Sequence, residues 1–211
     1  QITNNLESLR RIFGRLGPLG GVLLANVLLI IVLSFLSPYF LTGTNITNVF
    51  RQSAPLATVA LGITIVIISG GIDLSVAASI SLTSVLLAIF LDKLGMPVVP
   101  AMLLVFIIGI LLGFYNGVLV TILRIPPIIA TLSSAIVFSG IAYTITQGYS
   151  INLPIDSVIK FLGRGKLWEI PVSIIIVIVL YYITHLFLQN TSFGRIVYGL
   201  GGNNEAVYLS G

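Results

Sequence analysis

Between Leu16 and Phe50 the chain carries no Asp, Glu, Lys or Arg, a run of 35 residues. Further charge-free runs cover 52–72, 74–91, 94–123, 125–155 and 170–194. A charged side chain at the centre of a bilayer costs at least ~2.5 kcal/mol. About 20 apolar residues in a helix cross the hydrocarbon layer. Each run is long enough for one crossing, and the spans are expected near 19–37, 54–70, 75–91, 98–121, 128–147 and 171–188. The runs are continuous rather than alternating, which argues against a membrane β-barrel. Backbone groups in lipid must be satisfied within the segment, which leaves helices. The fold class is all-α, a polytopic transmembrane helix bundle of about six spans.

Composition agrees. Charged residues make up 8% and hydrophobic residues 57% of the 211, with a mean hydropathy of +1.14. A soluble domain is about 25% charged, so a soluble globular domain, a disordered chain and a nucleic-acid binder are all excluded. The net charge of +4 is too scattered for a basic face. The absence of cysteine removes disulfide scaffolds and thiolate metal sites. With one His and no phosphate-binding Gly-x-x-x-x-Gly-Lys pattern, no catalytic, metal or cofactor-binding constellation is present. The chain cannot hydrolyse ATP by itself.

The domain reading is an N-terminal segment over 1–18, a transmembrane domain over 19–188 and a polar C-terminal segment over 189–211. Six spans put both ends on one side. The positive-inside count divides five against five: Arg10, Arg11, Arg15, Arg124 and Arg195 against Arg51, Lys93, Lys160, Arg164 and Lys166. The flank of the first helix usually dominates orientation, and its three arginines place both ends in the cytoplasm. Thr42–Asn45, Asp92–Pro97 and Pro126-Pro127 read as connectors. The segment 148–170 is the longest polar loop, with a short surface helix near 156–162. Trp168 reads as an interface anchor, and His185 as a residue at headgroup level.

Several polar residues lie in or beside the spans. Asp73 stands in Ser69-Gly70-Gly71-Ile72-Asp73-Leu74-Ser75, between two apolar runs. One reading is a tight turn, with Asp73 as the N-cap of the next helix and Gly70-Gly71 as the C-cap of the last. The other is a helix break whose amides line a translocation path. Asn116 lies between Gly113 and Gly117, which with Gly109 form small-xxx-small units suited to close helix packing. Its amide needs a partner, either a neighbouring helix or a solute. Thr131, Ser133 and Ser134 can each bond to the carbonyl one turn back. Ser69, Asp73, Ser75, Asn116 and Thr131 are the candidate path residues.

Four motifs occur in a familiar order: Gly70-Gly71-Ile72-Asp73-Leu74-Ser75; Asn116-Gly117; Ile125-Pro126-Pro127-Ile128-Ile129-Ala130-Thr131-Leu132; and Thr191-Ser192-Phe193-Gly194-Arg195 with Tyr198, Gly201-Gly202-Asn203-Asn204-Glu205-Ala206 and Leu209-Ser210-Gly211. Over about 40–211 the chain resembles the ribose-type permease family, the membrane subunits of bacterial sugar ABC importers. The resemblance implies a multi-pass protein of the inner membrane that moves a sugar or sugar-like solute. It implies a second permease copy or paralogue, a cytoplasmic ATP-binding-cassette ATPase and an extracytoplasmic solute-binding protein as partners. It also implies that Arg195, Gly201, Gly202, Asn203, Asn204, Glu205 and Ala206 dock on the ATPase. From the residues themselves, 203–210 reads as a groove-binding helix with Asn203 as its N-cap, or as an amphipathic connector lying on the membrane surface. Members of that family continue into further spans, so the expectation is a fragment or a truncated gene product. The alternative from another class is an ion-coupled secondary transporter or channel without an ATPase, for which Asp73 would be the only membrane carboxylate. A purely structural membrane subunit is a third.

Overall fold

The computed structural model describes residues 18–151, 157–202 and 207. Arg10, Arg11 and Arg15, and the expected docking residues Asn203, Asn204, Glu205 and Ala206, lie outside the described residues. Eight helices and one hairpin are found among those described: α1 Pro18–Leu36, α2 Gly43–Ile68, α3 Val76–Asp92, α4 Val98–Thr121, α5 Pro127–Thr146, α6 Ser157–Arg164, β1 Lys166–Leu167, β2 Ile170–Pro171, α7 Val172–Asn190 and α8 Ser192–Gly202. The six apolar helices α1–α5 and α7 overlap the six expected spans, and all but α2 match them closely at both ends. Four of them, α2, α4, α5 and α7, are long and apolar enough to cross a membrane. The chain divides into two compact units, Gln1–Phe50 and Arg51–Gly211.

In the first unit, α1 leads through a turn at 37–42 into the start of α2. The Thr42 hydroxyl accepts the Asn45 N–H at 3.3 Å, the bond of an N-cap residue to the third helical amide. The Asn45 side chain in turn donates to the Phe40 carbonyl at 2.7 Å. This cap corrects one expectation. The second helix begins at Gly43, not near 54, and carries Arg51 within it. A charge gap marks where a helix is apolar, whereas a cap marks where it starts.

In the second unit the packed core lies between α3 and α5. Ala78 and Leu82 of α3 meet Phe138 and Ala142 of α5, with Leu112 of α4 against them. Tyr115 of α4 lies on Phe138, ring centroids 6.1 Å apart. Buried alanines (Ala78, Ala88, Ala130 and Ala142) let these backbones approach closely. The glycine stripe of α4 plays no such part here. A Cβ at Gly109, Gly113 or Gly117 would meet nothing within 4 Å among the described residues. The Tyr181 hydroxyl of α7 donates to the Ala57 carbonyl of α2 at 3.1 Å, close to Pro55 inside that helix.

The polar loop contains α6, close to its expected place, together with a hairpin that no sequence signal marks. Leu167 pairs with Ile170, leaving Trp168 and Glu169 as the turn. Trp168 has φ 60° and is 95% exposed. The Lys166–Glu169 pair at 3.6 Å is open to solvent and adds little.

The segment after α7 begins with the helix α8. Thr191 is extended and its hydroxyl accepts the Gly194 N–H at 3.1 Å, capping α8. Arg195 is exposed and its guanidinium donates to the Ser192 hydroxyl at 2.9 Å. Gly201 and Gly202 are the last residues of α8. Gly201 lies against the end of α2: a Cβ built there would overlap the Ile68 carbonyl oxygen and stand 3.5 Å from the Gly70 nitrogen.

Gly201→Ala must therefore push α8 off the end of α2. Overpacking of this kind costs about 1–3 kcal/mol. A Cβ at the neighbouring Gly202 would meet nothing within 4 Å among the described residues. Thermal unfolding of the detergent-solubilised protein should show a lowered midpoint for Gly201→Ala and an unchanged one for Gly202→Ala.

Candidate functional site

The main chain leaves the helix between Ile68 and Val76, and four of the five candidate path residues gather there. Helix α2 ends with Gly70 at φ 83°, a left-handed conformation that suits glycine. The Gly70 N–H bonds to the Ile67 carbonyl and the Gly71 N–H to the Val66 carbonyl, each at 2.9 Å. This is the Schellman arrangement, which satisfies carbonyls that a helix end leaves open. The C-cap expected at Gly70-Gly71 is thus present. Ser69, the fifth candidate, only donates to the Val66 carbonyl at 2.8 Å.

The expected N-cap is displaced by two residues. Helix α3 starts at Val76, so Ser75 rather than Asp73 holds the N-cap position, and the Ser75 side chain makes no cap bond. Asp73 acts one step earlier. Its Oδ1 accepts both the Ser75 N–H and the Ser75 hydroxyl, each at 2.7 Å. The aspartate thus folds the chain back on itself before the helix begins, a local competition that short polar side chains provide.

Ser75 connects this turn to α4. It is 1% exposed, and its oxygen accepts from Asn116 Nδ2 at 2.7 Å. Because the serine proton is directed to Asp73, the asparagine must present its NH₂ to Ser75. The amide orientation is fixed by that requirement. Asn116 Oδ1 is left without a partner among the described residues. Of the two partners the sequence allows for Asn116, a neighbouring segment takes the amide nitrogen.

Thr131 connects the turn to α5. Its hydroxyl donates to the Pro127 carbonyl at 2.7 Å, one turn back, and accepts the Leu74 N–H at 3.1 Å. Ser134 likewise bonds to the Ala130 carbonyl at 2.9 Å. The start of α5 is fixed by Pro126 and Pro127, which stand at its N-cap and first helical positions. Asp73, Ser75, Asn116 and Thr131 therefore form one polar cluster where α3, α4 and α5 meet. Gly201 touches the other side of the same break. Among the described residues no group of His, Asp and Glu could hold a metal ion.

A second polar surface lies further along α3 and α5, outside the candidate path residues. A cavity of about 630 Å³ is lined by Ser81, Ser84, Ser139, Tyr143, Thr146 and Tyr149, with apolar residues between them. The signal in the sequence is a pair of serines at i, i+3 spacing within an apolar helix.

The Asp73 cluster makes a specific claim. An Asn at 73 keeps an oxygen for the Ser75 N–H and hydroxyl, whereas Leu leaves both without an acceptor. Losing a buried partner costs about 1–3 kcal/mol. Folded yield of Asp73→Asn should match the parent, and that of Asp73→Leu should fall. An equal fall in both would show that the charge, not the acceptor, holds the turn.

Comparison with known proteins places this architecture. Residues 45–211 match the family model described as branched-chain amino acid transport system / permease component. The ribose import permease protein of Bacillus subtilis (strain 168) is 39% identical over 198 residues, 93% of this chain and 60% of the relative. The ribose import permease protein of Escherichia coli (strain K12) is 32% identical over 90% of the chain. The galactofuranose transporter permease protein of Escherichia coli (strain K12) is 32% identical over the same share. The chain spans about 60% of the length of the ribose permeases it matches. No solved structure matches it. With a family model covering most of its residues, and with apolar helices at every expected span, the chain belongs to the permease-component family of branched-chain amino acid transport systems and is a multi-pass membrane protein.

Proposed function

We propose that the chain is part of the permease subunit of an ATP-driven importer, and that it carries a sugar or sugar-like solute across the bacterial inner membrane. The observation that supports this most directly is the ribose import permease of B. subtilis, 39% identical across 93% of this chain. The subunit is not an enzyme. Hydrolysis belongs to a separate cytoplasmic ATP-binding-cassette protein, and a second permease copy or paralogue completes the pathway. An extracytoplasmic binding protein delivers the solute.

In this reading both ends of the six-span unit face the cytoplasm. The end of α2, the start of α3 and helix α8 then lie on the cytoplasmic side. Arg195, Gly201 and Gly202 begin the ATPase-docking segment, which continues through Asn203, Asn204, Glu205 and Ala206. Force from the ATPase enters at α8 and reaches the α2–α3 break through Gly201. The solute path runs past Asp73, Ser75, Asn116 and Thr131, which hydrogen bonds link across α3, α4 and α5. The alternative, an ion-coupled transporter or channel without an ATPase, would rest on Asp73, whose Oδ1 accepts two bonds from Ser75.

Uptake of labelled D-ribose and D-galactose into vesicles holding the complete permease, its ATPase and its binding protein should require ATP. Uptake that proceeds equally without ATP would overturn the importer reading. Charge reversal at the docking segment gives a second test. Glu205→Lys should weaken co-purification of the ATPase and reduce uptake several-fold, with membrane insertion intact. A segment lying on the membrane surface would tolerate the added lysine, since anionic headgroups attract it. Wild-type co-purification and uptake would then remove the docking assignment.

A further inference from the structure

Hydroxyl groups in apolar helices usually satisfy themselves on the carbonyl one turn back. On α3 and α5 that pattern holds for Thr83, bonded to Ser79 at 2.7 Å, and for Thr144, bonded to Gly140 at 2.8 Å. Ser81, Ser84 and Ser139 do not follow it, nor do Ser79 and Ser133 on the same helices, and what sets the three apart is the cavity they share. All three are exposed within the second unit, and none makes a side-chain hydrogen bond among the described residues. All three line the same cavity. Ser81 and Ser84 share one face of α3 at i, i+3 spacing. Ser139, Tyr143 and Thr146 share one face of α5 at i, i+4, i+7 spacing.

We propose that this cavity between α3 and α5 is a resting site for a neutral polyhydroxylated solute, held by the hydroxyls of Ser81, Ser84 and Ser139 beside the rings of Tyr143 and Tyr149. The proposal rests on the sugar-importer reading and gives it a location. Its volume of about 630 Å³ falls within the range of small-molecule pockets. A water's share of liquid is about 30 Å³, so roughly twenty waters would fill it and a monosaccharide of about ten to twelve heavy atoms fits with part of its hydration. Each serine both donates and accepts, as each sugar hydroxyl does. Among the described residues no lining side chain carries a charge. A zwitterionic amino acid entering here would find no counter-charge for either end, and an unpaired charge in such surroundings is costly. The lining therefore favours a sugar over the amino acids in the family's description. Ser81 stands six residues beyond Ser75, roughly 9 Å along the helix. The solute would rest above the Asp73–Ser75–Asn116 cluster, which closes the other end of the same helices.

The chain has no cysteine, so single thiols can report on the cavity. Ser84→Cys and Ser139→Cys, each in the complete permease with its ATPase and binding protein, would be labelled with a hydrophilic thiol reagent in vesicles. D-ribose, D-galactose and L-leucine are the probes, with Ser133→Cys on another face of α5 as the control. The sugar that these vesicles import should slow labelling at 84 and 139 at least threefold, with leucine inert and position 133 unaffected. Unchanged rates at 84 and 139 with an imported sugar would overturn the site and leave the importer reading standing. Protection by leucine instead would overturn the neutral-solute assignment. If neither sugar is imported with ATP, the importer reading fails for these sugars and this site falls with it. A Ser84→Ala, Ser139→Ala double variant should lower uptake several-fold at equal membrane abundance, whereas Ser133→Ala should not.

Discussion

A main chain that leaves the helix among apolar neighbours must find partners for its amides close by, or lose several kcal/mol for each. Between Ile68 and Val76 this requirement organises the second unit. The helix end turns its own Gly70 and Gly71 amides back onto Ile67 and Val66. The Ser75 amide goes to Asp73 and the Leu74 amide goes to Thr131 of α5. The same serine then takes the Asn116 amide from α4. A local need for acceptors thereby ties together three helices far apart in sequence. The aspartate at the centre is partly solvated, so its charge is tolerated where a fully buried one would not be.

Much of this is legible in the sequence, for a physical reason. The penalty for charge in lipid is large and local, so the spacing of Asp, Glu, Lys and Arg outlines the spans directly. The same argument fails at the start of α2, because Thr42, a neutral residue, sets that boundary through its cap bond. It also cannot find the hairpin at Lys166–Pro171, since two-residue strands have no periodicity to read. At the site, the residue types are identifiable and their partners are not. Asp73, Ser75, Asn116 and Thr131 stand out as polar groups in apolar runs, but the Ser75–Asn116 bond joins residues 41 apart in the chain. The serines of the cavity do not stand out, because Ser in a helix is ordinarily self-satisfied. Only the geometry reveals that Ser81, Ser84 and Ser139 stand unbonded around one cavity.

The family's description and its relatives' names point to different solutes, an amino acid in one case and sugars in the other. Fold alone does not decide between them. A bundle of apolar helices with a polar break is a frame that many solutes can use. What differs is the lining of the space between the helices, and here that lining is hydroxyl-rich and, among the described residues, without charge. Selectivity would then lie in which groups on α3 and α5 are left free, rather than in the arrangement of the helices.

The contact between Gly201 and the end of α2 has a mechanical consequence. Most helix contacts pass through side chains, which can change rotamer and absorb a small displacement. Here main chain rests on main chain: Gly201 meets the Ile68 carbonyl, with the Gly70 backbone beside it. There is no side chain at either glycine to yield. A tilt of α8 toward α2 would therefore bear directly on main chain, at the point where α2 ends. Such a contact of bare main chain would transmit a push on α2 with no side chain to absorb it.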